Sequence, residues 1–229
     1  MESQEKLIKP ALFAEQKILK AIVGGDWLAG HKLPPERELA LIIGVTRPTL
    51  REVLQRLSRD GWLTIKHGKP TTVNDYKHTG GLGVLKSLVK NEEFTSKSLI
   101  KDWLEFRVLV FPELAKKAIS TNSVEILEKL NNMPSVNTDS LEFATYDWEL
   151  QMLLVTYSRN TIAKMIYNDL REIYSNRGES YFLNVEVKKF SIDYYNNLRN
   201  AVNARSNDID VIVKSCMVES LEMWKSSNL

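Results

Sequence analysis

The stretch GVTRPTLREVLQRLSRDGW, residues 44–62, decides the fold of the first third of the chain. Gly44 ends the helix before it, Thr46 is a good N-cap for a helix over 47–59, and Gly61 ends that second helix. At about 100° per residue the helix has two distinct faces. One face carries Leu50, Val53, Leu54 and Leu57, and the other carries Pro48, Arg51, Gln55 and Arg59. Two helices joined by a tight glycine-containing turn predict a helix-turn-helix, whose second helix reads the major groove of DNA.

A further helix is predicted before this unit. Pro10 begins a helix over 11–23, and Gly24-Gly25 ends it. Its apolar side is expected to carry Leu12, Ile18, Leu19 and Ile22. A short helix over 36–42 follows Pro34-Pro35 and supplies the first half of the helix-turn-helix.

A β-hairpin is predicted after it. Strands are expected at 62–65 and 71–73, with Lys66-His67-Gly68-Lys69 as the turn. Gly68 permits a tight backbone approach, the flanking lysines can neutralise phosphates, and His67 is slim enough for a minor groove. A lone arginine on a helix face is usually only solvated surface. The DNA-binding hypothesis therefore depends on turn, helix and basic hairpin occurring together.

The remainder of the chain is rich in helical periodicity. The polar, glycine-ended stretch 76–81 is interpreted as a linker between a winged helix-turn-helix domain over 1–75 and a helical domain over 82–229. Helices are predicted near 80–91, 97–120, 123–133, 140–157, 161–180, 186–204 and 208–226. The fold class is thus mainly α, with a small β-hairpin in the first domain and an all-α seven-helix bundle in the second.

Composition narrows the class of protein. The chain is 43% apolar and 26% charged, as in ordinary globular proteins, and has no apolar run of about 18 residues. The segment 1–6 lacks the features of a secretory signal, and Cys216 is the only cysteine, so we expect a cytoplasmic protein without disulfides. With 12 basic and 9 acidic residues, the first 75 residues carry a net charge of +3, against −1 for the rest.

Residues 34–73 resemble the winged-helix domain of the GntR family of transcription regulators. The segments PPERELA at 34–40 and GVTR at 44–47 match the family pattern. Residues 51–71 are more similar still to the fatty-acid-responsive branch of the family. The resemblance implies that these residues contact DNA: Arg37, Thr46, Arg47, Thr49, Arg51, His67 and Gly68. Lys69 of the wing is added as a further candidate. Pro48 replaces a threonine of that branch and removes a hydroxyl that could contact the DNA backbone.

The same resemblance extends, more weakly, into the helical domain at 146–160, 174–182 and 219–224. It implies that long-chain acyl-CoA binds inside the bundle as an effector, with these candidate contacts: Leu104, Arg107, Tyr174, Tyr181, Tyr195, Ser220 and Trp224. Tyrosine and tryptophan offer apolar area with one polar group, which suits an amphipathic ligand, but aromatic residues at helical spacing also form ordinary cores. The partner of Arg107 is either a ligand phosphate or a neighbouring carboxylate.

Two departures from the family pattern bear on the helical domain. Many relatives bind a metal there through an aspartate and several histidines. Here Asp147 matches that aspartate, Gln151 replaces the histidine four residues later, and no histidine follows His78, so we expect no metal site and no histidine-based catalysis. Met217 replaces a glycine of the fatty-acid-responsive branch, which either narrows the tunnel, shortens the acceptable acyl chain or abolishes binding.

Taken together, these features predict a regulator and not an enzyme. The expected protein is a homodimer that binds a palindromic operator and is released by long-chain acyl-CoA. The resemblance implies repression of fatty-acid degradation and activation of unsaturated fatty-acid synthesis. Three alternatives stay open: a GntR regulator of another small metabolite, a DNA binder with a non-responsive helical domain, and an enzyme with a DNA-binding module.

Overall fold

A computed structural model describes residues 9–226, except for the side chains at 175 and 176. The segment 1–6, which is predicted not to be a secretory signal, lies outside the described residues, as do the outer ends of the two predicted domains. Contacts between residues divide the chain into two compact units, Met1–Phe94 and Thr95–Leu229. The fold class is confirmed, because the first unit is a winged helix-turn-helix and the second is all-α.

The first unit begins with the three predicted helices. They are α1 (Pro10–Val23), α2 (Glu36–Ile43) and α3 (Arg47–Asp60). The hairpin strands β1 (Leu63–Thr64) and β2 (Thr72–Val73) follow, shorter than predicted. The unit ends with α4 (Tyr76–Thr79), α5 (Leu82–Lys90) and a 3₁₀ turn over Glu92–Phe94.

The core of this unit forms around the apolar face of α3. Its four predicted core residues are all buried: Leu50, Val53, Leu54 and Leu57. On α1 the prediction for Leu12 is wrong, because 41% of this residue is exposed. Ala14 lies in the core instead, since the buried stripe of α1 passes through Ala14, Ile18 and Ile22 at a spacing of four residues.

The wing has a third segment that sequence analysis missed. β1 and β2 pair antiparallel, with Leu63 opposite Val73. The segment 30–33 runs beside β2: the Leu33 amide donates to the Thr71 carbonyl at 2.8 Å, and the Val73 amide donates to the His31 carbonyl at 2.9 Å. A single isolated bridge, Lys32 with Thr72, marks this pairing. Such a short segment carries no strand periodicity, which explains why only the structure reveals it.

The stretch 76–81, predicted as a linker, is helical over most of its length. Residues 76–79 form α4, and the Tyr76 ring lies 4.9 Å from the Trp62 ring, centroid to centroid. Val84 of α5 belongs to the buried core of the first unit. The contacts thus place 82–94 with the first unit, whereas the sequence predicted the helical domain to begin at 82. Apolar residues facing Trp62 and α3 outweigh the polar composition of the stretch.

The second unit contains seven α-helices within residues 95–226. Their bounds are α6 (Lys97–Thr121), α7 (Ser123–Asn131), α8 (Ser140–Tyr157), α9 (Thr161–Asp169), α10 (Arg171–Phe182), α11 (Val185–Asn203) and α12 (Ile209–Ser226). The single helix predicted over 161–180 is two helices, separated at Leu170. This residue is buried and has φ −94° and ψ 5°, outside the helical range. No glycine or proline marks the break.

Long helices position the interior of this unit. α6 packs against α8 and α12, α10 packs against α8, and α11 packs against α12 and α7. Aromatic rings fill the interior: the Tyr167 ring lies 5.0 Å from Trp103 and 5.8 Å from Phe111. None of the helices described is both long enough and apolar enough to cross a membrane.

The turn of the helix-turn-helix leads to a stability prediction. Gly44 has φ +87°, and an added Cβ meets nothing within 4 Å, so only the backbone conformation opposes a side chain. Gly44→Ala is expected to lower the free energy of unfolding by about 1–2 kcal/mol. Gly44→Asn should cost less, because asparagine enters the left-handed region more readily. Urea denaturation followed by circular dichroism measures both, and wild-type stability in Gly44→Ala would contradict the argument.

Candidate functional site

The N-terminal ends of α2 and α3 carry a group of basic and hydroxyl residues, which we call the recognition surface: Arg37, Thr46, Arg47, Thr49 and Arg51. The three arginines are exposed, and Thr49 is half-buried. The opposite face of α3 lies in the core, so burial of that face directs these guanidinium groups to solvent. The predicted outward residues Pro48, Gln55 and Arg59 are also exposed.

A carboxylate that sequence analysis missed lies among these arginines. Glu36 begins α2, and its Oε2 is 3.0 Å from Arg51 Nη2 and 3.5 Å from Arg47 Nε. Arg51 Nε also donates to both carboxylate oxygens, at 3.3 and 3.1 Å. The sequence signal was present, because Glu36 stands next to Arg37 in the family-like PPERELA segment, but the contact joins residues 15 positions apart.

The two threonines of the recognition surface bond to each other. Thr46 caps α3 by accepting the Thr49 amide at 3.4 Å, and the two hydroxyl oxygens are 2.8 Å apart. Pro48 lies in the first turn of α3, where the missing N–H leaves no helical hydrogen bond unmade. The departure at Pro48 therefore removes a polar group from the surface without disturbing the helix.

The wing presents its turn to solvent. His67, Gly68 and Lys69 are all exposed. The Lys69 amide donates to the Lys66 carbonyl at 3.2 Å, and Gly68 has φ +69°, a conformation that glycine adopts without strain. The turn thus leaves the His67 side chain and the Gly68 backbone accessible to solvent.

The second unit has a cavity of ≈ 80 Å³, which we call the helical-domain cavity. Six of the seven residues predicted to contact ligand line it, two each from α6, α10 and α12: Leu104, Arg107, Tyr174, Tyr181, Ser220 and Trp224. They fall three, four or seven positions apart along each helix, so each helix turns one face to the cavity. The seventh, Tyr195, does not line it.

Arg107 is buried in this cavity wall, with only 5% of the residue exposed. Its Nη2 donates to the sulfur of Met217 at 2.9 Å, and its Nε has no hydrogen-bond partner among the described residues. The guanidinium carbon lies 5.9 Å from the Phe111 ring centroid and 5.8 Å from that of Tyr174. A buried cation with a thioether as its acceptor is weakly satisfied, because sulfur is a weak acceptor. A ligand oxygen would be a stronger partner.

Asp147 is the acidic residue of the cavity lining. It accepts a hydrogen bond from Gln151 Nε2 at 2.5 Å and another from the Tyr195 hydroxyl at 2.8 Å. Gln151 in turn accepts from the Tyr174 hydroxyl at 2.8 Å. Burial raises the pKa of the Asp147 carboxyl, while the charge of Arg107 and these hydrogen bonds offset part of the rise. Tyr195 therefore acts on the cavity through Asp147.

A second pair of polar groups lies between α10 and α12. The Tyr181 hydroxyl and Ser220 Oγ are 3.1 Å apart. Burial raises the pKa of Tyr181 to about 12, so its hydroxyl keeps its proton at neutral pH. This pair offers both a donor and an acceptor to a polar group of a ligand.

The position of the family's metal site has different chemistry here. Gln151, at the position where the resemblance predicts a histidine, donates a hydrogen bond to Asp147. Among the residues that the structure describes, no three His, Cys, Asp or Glu side chains are grouped so that they could bind a metal ion.

Sequence analysis also missed several cavity residues. Trp103 of α6, Arg177 of α10 and Tyr194 of α11 line the cavity. Helical spacing from residues already named was the available signal, since Trp103 precedes Arg107 by four positions and Arg177 follows Tyr174 by three. Tyr194 neighbours Tyr195 in the chain, and only the helix rotation in the folded protein distinguishes which of them faces the cavity.

Comparison with known proteins gives a family match for each of two segments of the chain, which meet between residues 73 and 74. Residues 10–73 match the gntR family of bacterial regulatory proteins, and residues 74–229 match the FadR C-terminal domain. The chain belongs to the GntR family. The predicted resemblance is confirmed, and GntR-family regulators bind DNA. The recognition surface lies within residues 10–73, the segment that matches the gntR family.

Relatives of this GntR-family protein cover nearly its whole length. It is 37% identical over 218 residues to the fatty acid metabolism regulator protein of Shewanella pealeana, which covers 95% of this chain and 91% of that protein. It is 38% identical over 222 residues to the protein of the same name from Yersinia pestis, with 96% and 93% covered. A solved structure of Lar, described as controlling the Listeria monocytogenes agr system, is 14% identical with a TM-score of 0.53, covering 96% of this chain and 99% of that one. That likeness shows the fold alone.

The contact between Met217 and Arg107 generates a stability prediction. Met217→Ala removes both a buried side chain and the acceptor of a buried guanidinium, so we expect a loss of about 2–4 kcal/mol in the free energy of unfolding. Met217→Leu removes the same sulfur but keeps most of the volume, so it should cost less than Met217→Ala does. Urea denaturation compares the two variants. Equal stability of the alanine and leucine variants would show that the volume of Met217 does not matter.

Proposed function

We propose that this GntR-family regulator controls genes of fatty-acid metabolism in the bacterial cytoplasm. In this proposal it binds a palindromic operator as a homodimer and leaves it when long-chain acyl-CoA occupies the helical-domain cavity. The observation that carries the proposal is the convergence of six predicted ligand residues from three helices on one cavity, in a chain whose other unit carries the recognition surface. The names of its relatives support fatty-acid metabolism as the regulated process.

The DNA half of the proposal rests on the N-terminal half of α3. Residues at the N-terminal end of a recognition helix meet base edges in the major groove, and arginine pairs bidentately with guanine there. Arg47 and Arg51 are exposed at that end of α3, and Arg37 is exposed at the start of α2. Thr46, Thr49, Gly68 and Lys69 would contact the backbone, and His67 the minor groove. A palindromic operator follows from two-fold symmetry of the dimer.

The effector half rests on the chemistry of the cavity wall. Rings and aliphatic side chains suit an acyl chain, while the Tyr181–Ser220 pair and Arg107 suit a thioester carbonyl or a phosphate. At ≈ 80 Å³ the cavity is smaller than a site for a long chain, so Met217 and its neighbours must move when such a ligand enters. A ligand that requires such movement binds one arrangement of the helices better than another, which is the requirement for regulation. We further propose repression of fatty-acid degradation and activation of unsaturated fatty-acid synthesis.

A regulator of a smaller metabolite is the second candidate. Two observations favour it: the cavity volume of ≈ 80 Å³ and the Met217 side chain within the cavity wall. A compact carboxylate would reach Arg107 without displacing the aromatic residues. A helical domain that responds to no ligand is the remaining alternative, and the following experiments separate the three.

The recognition surface is tested by paired arginine variants. Arg51→Ala should lower affinity for an operator duplex, selected from random DNA by the wild type, by roughly 5- to 100-fold, because one bidentate base contact is lost. Arg59→Ala is the control, since Arg59 is exposed near the end of the same helix, 4.0 Å from Asp60. It should lose at most a few-fold, equally on all sequences. Fluorescence anisotropy at fixed salt measures both, and equal losses would contradict base recognition by Arg51.

The effector is tested by competition with the operator. Saturating oleoyl-CoA should weaken operator affinity at least about tenfold, within the usual range of allosteric coupling. Free CoA and octanoyl-CoA are the controls, and Met217→Ala should widen the range of chains that cause release. Release by short carboxylates alone would favour the smaller-metabolite function. If no compound changes operator affinity or raises the melting temperature, the helical domain is non-responsive.

A further inference from the structure

Glu36 is the acidic residue in contact with two arginines of the recognition surface. Its side chain is 31% exposed, against 57% for Arg51 and 61% for Arg47. The carboxylate is therefore partly sheltered at the start of α2, while the guanidinium groups extend towards solvent. Glu36 can therefore affect DNA binding through Arg47 and Arg51 without touching a base itself.

The contact between Glu36 and Arg51 leaves the terminal N–H groups of the guanidinium available to another partner. Glu36 accepts hydrogen bonds from Arg51 Nε, and its Oε2 also lies 3.0 Å from Arg51 Nη2. Nε and Nη2 lie along one edge of the guanidinium plane. A guanidinium has five N–H donors, so the hydrogens on Nη1 and the second hydrogen on Nη2 remain. These form the fork that pairs with O6 and N7 of guanine. The carboxylate and a guanine can thus hold Arg51 at the same time.

Electrostatics gives the same carboxylate a second effect. Arg47 and Arg51 are four residues apart on α3, where like charges repel. Glu36 lies within 3.5 Å of both guanidinium groups and offsets that repulsion. It also places a negative charge where DNA phosphates approach, which weakens attraction to any sequence. Where the base facing Arg51 is guanine, its pairing with Arg51 offsets the repulsion between Glu36 and the phosphates. Any other base leaves this repulsion without compensation.

We propose that Glu36 is a specificity-determining positioning residue of the recognition surface. It holds Arg51 edge-on so that the guanidinium fork faces one guanine, and its charge lowers affinity for non-operator DNA. The inference rests on the proposed function, since it requires that α3 reads an operator.

Three variants separate charge from positioning. Glu36→Gln removes the charge and weakens the grip on Arg51, and Glu36→Asp keeps the charge but shortens the reach. Glu52→Gln is the matched control, because Glu52 is an exposed glutamate on α3 beside Arg51. Each variant is titrated by fluorescence anisotropy at several salt concentrations with two duplexes, one selected by the wild type and one scrambled.

Glu36→Gln is expected to raise affinity for the scrambled duplex and to lower the ratio of selected to scrambled affinity about tenfold, part of what one arginine–guanine pair supplies. Glu36→Asp should lower the ratio without a gain on scrambled DNA. Glu52→Gln should raise both affinities and leave the ratio unchanged. A second selection from random DNA with Glu36→Gln should show weaker preference for guanine at one position of each half-site.

Melting curves of all variants verify the fold, because an ion pair this exposed contributes little to stability. An unchanged ratio in both Glu36 variants, with the wild type selective, overturns the inference alone. A wild type that selects no duplex overturns the proposed function and the inference with it. If Glu36→Gln unfolds, the ratio for Glu36→Asp decides.

Discussion

Burial of one face of α3 is the constraint on which the first unit depends. Leu50, Val53 and Leu57 are fully buried, and each such side chain contributes about 1.5–3 kcal/mol when removed from water. An exposed ion pair contributes about 0.2–1 kcal/mol. Burial of the apolar face therefore sets the rotation of α3 about its axis, and the charged residues lie on the opposite, exposed face. Arg47 and Arg51 point outwards for this reason, and their ion pairs with Glu36 adjust them only locally.

The second unit is distinguished by charged side chains that are buried in its interior. Burying the guanidinium of Arg107 among aromatic rings is unfavourable, and a thioether sulfur is a weak acceptor for it, while the charge of the nearby Asp147 carboxyl offsets part of the cost. Asp147 is buried in the same wall, held by hydrogen bonds from Gln151 and Tyr195. Polar groups kept in an apolar interior with incomplete satisfaction are characteristic of ligand sites. The stability lost here is available to a ligand that satisfies the groups.

The two sites share a physical logic although they lie in separate units. In each, a carboxylate holds a neighbouring side chain: Glu36 holds Arg51 at the recognition surface, and Asp147 holds Gln151, which accepts from Tyr174, in the cavity. In each, one residue departs from the family pattern. Pro48 removes a hydroxyl without disturbing the helix, whereas Met217 adds volume and a sulfur hydrogen-bond acceptor to the cavity wall. The second departure is the larger, because interiors tolerate added volume less than surfaces do.

The sequence by itself determined the fold class, the rotation of α3 and most of the candidate site, because helical periodicity and capping residues are local signals. It also indicated six of the lining residues through family resemblance. Only the tertiary structure decided the rest. The break at Leu170, the packing of α4 and α5 with the first unit, the pairing of 30–33 with β2, and the contact of Glu36 with Arg51 all depend on residues distant in the chain. Packing between distant segments overrides local propensity wherever buried apolar area is large, and no local pattern records it.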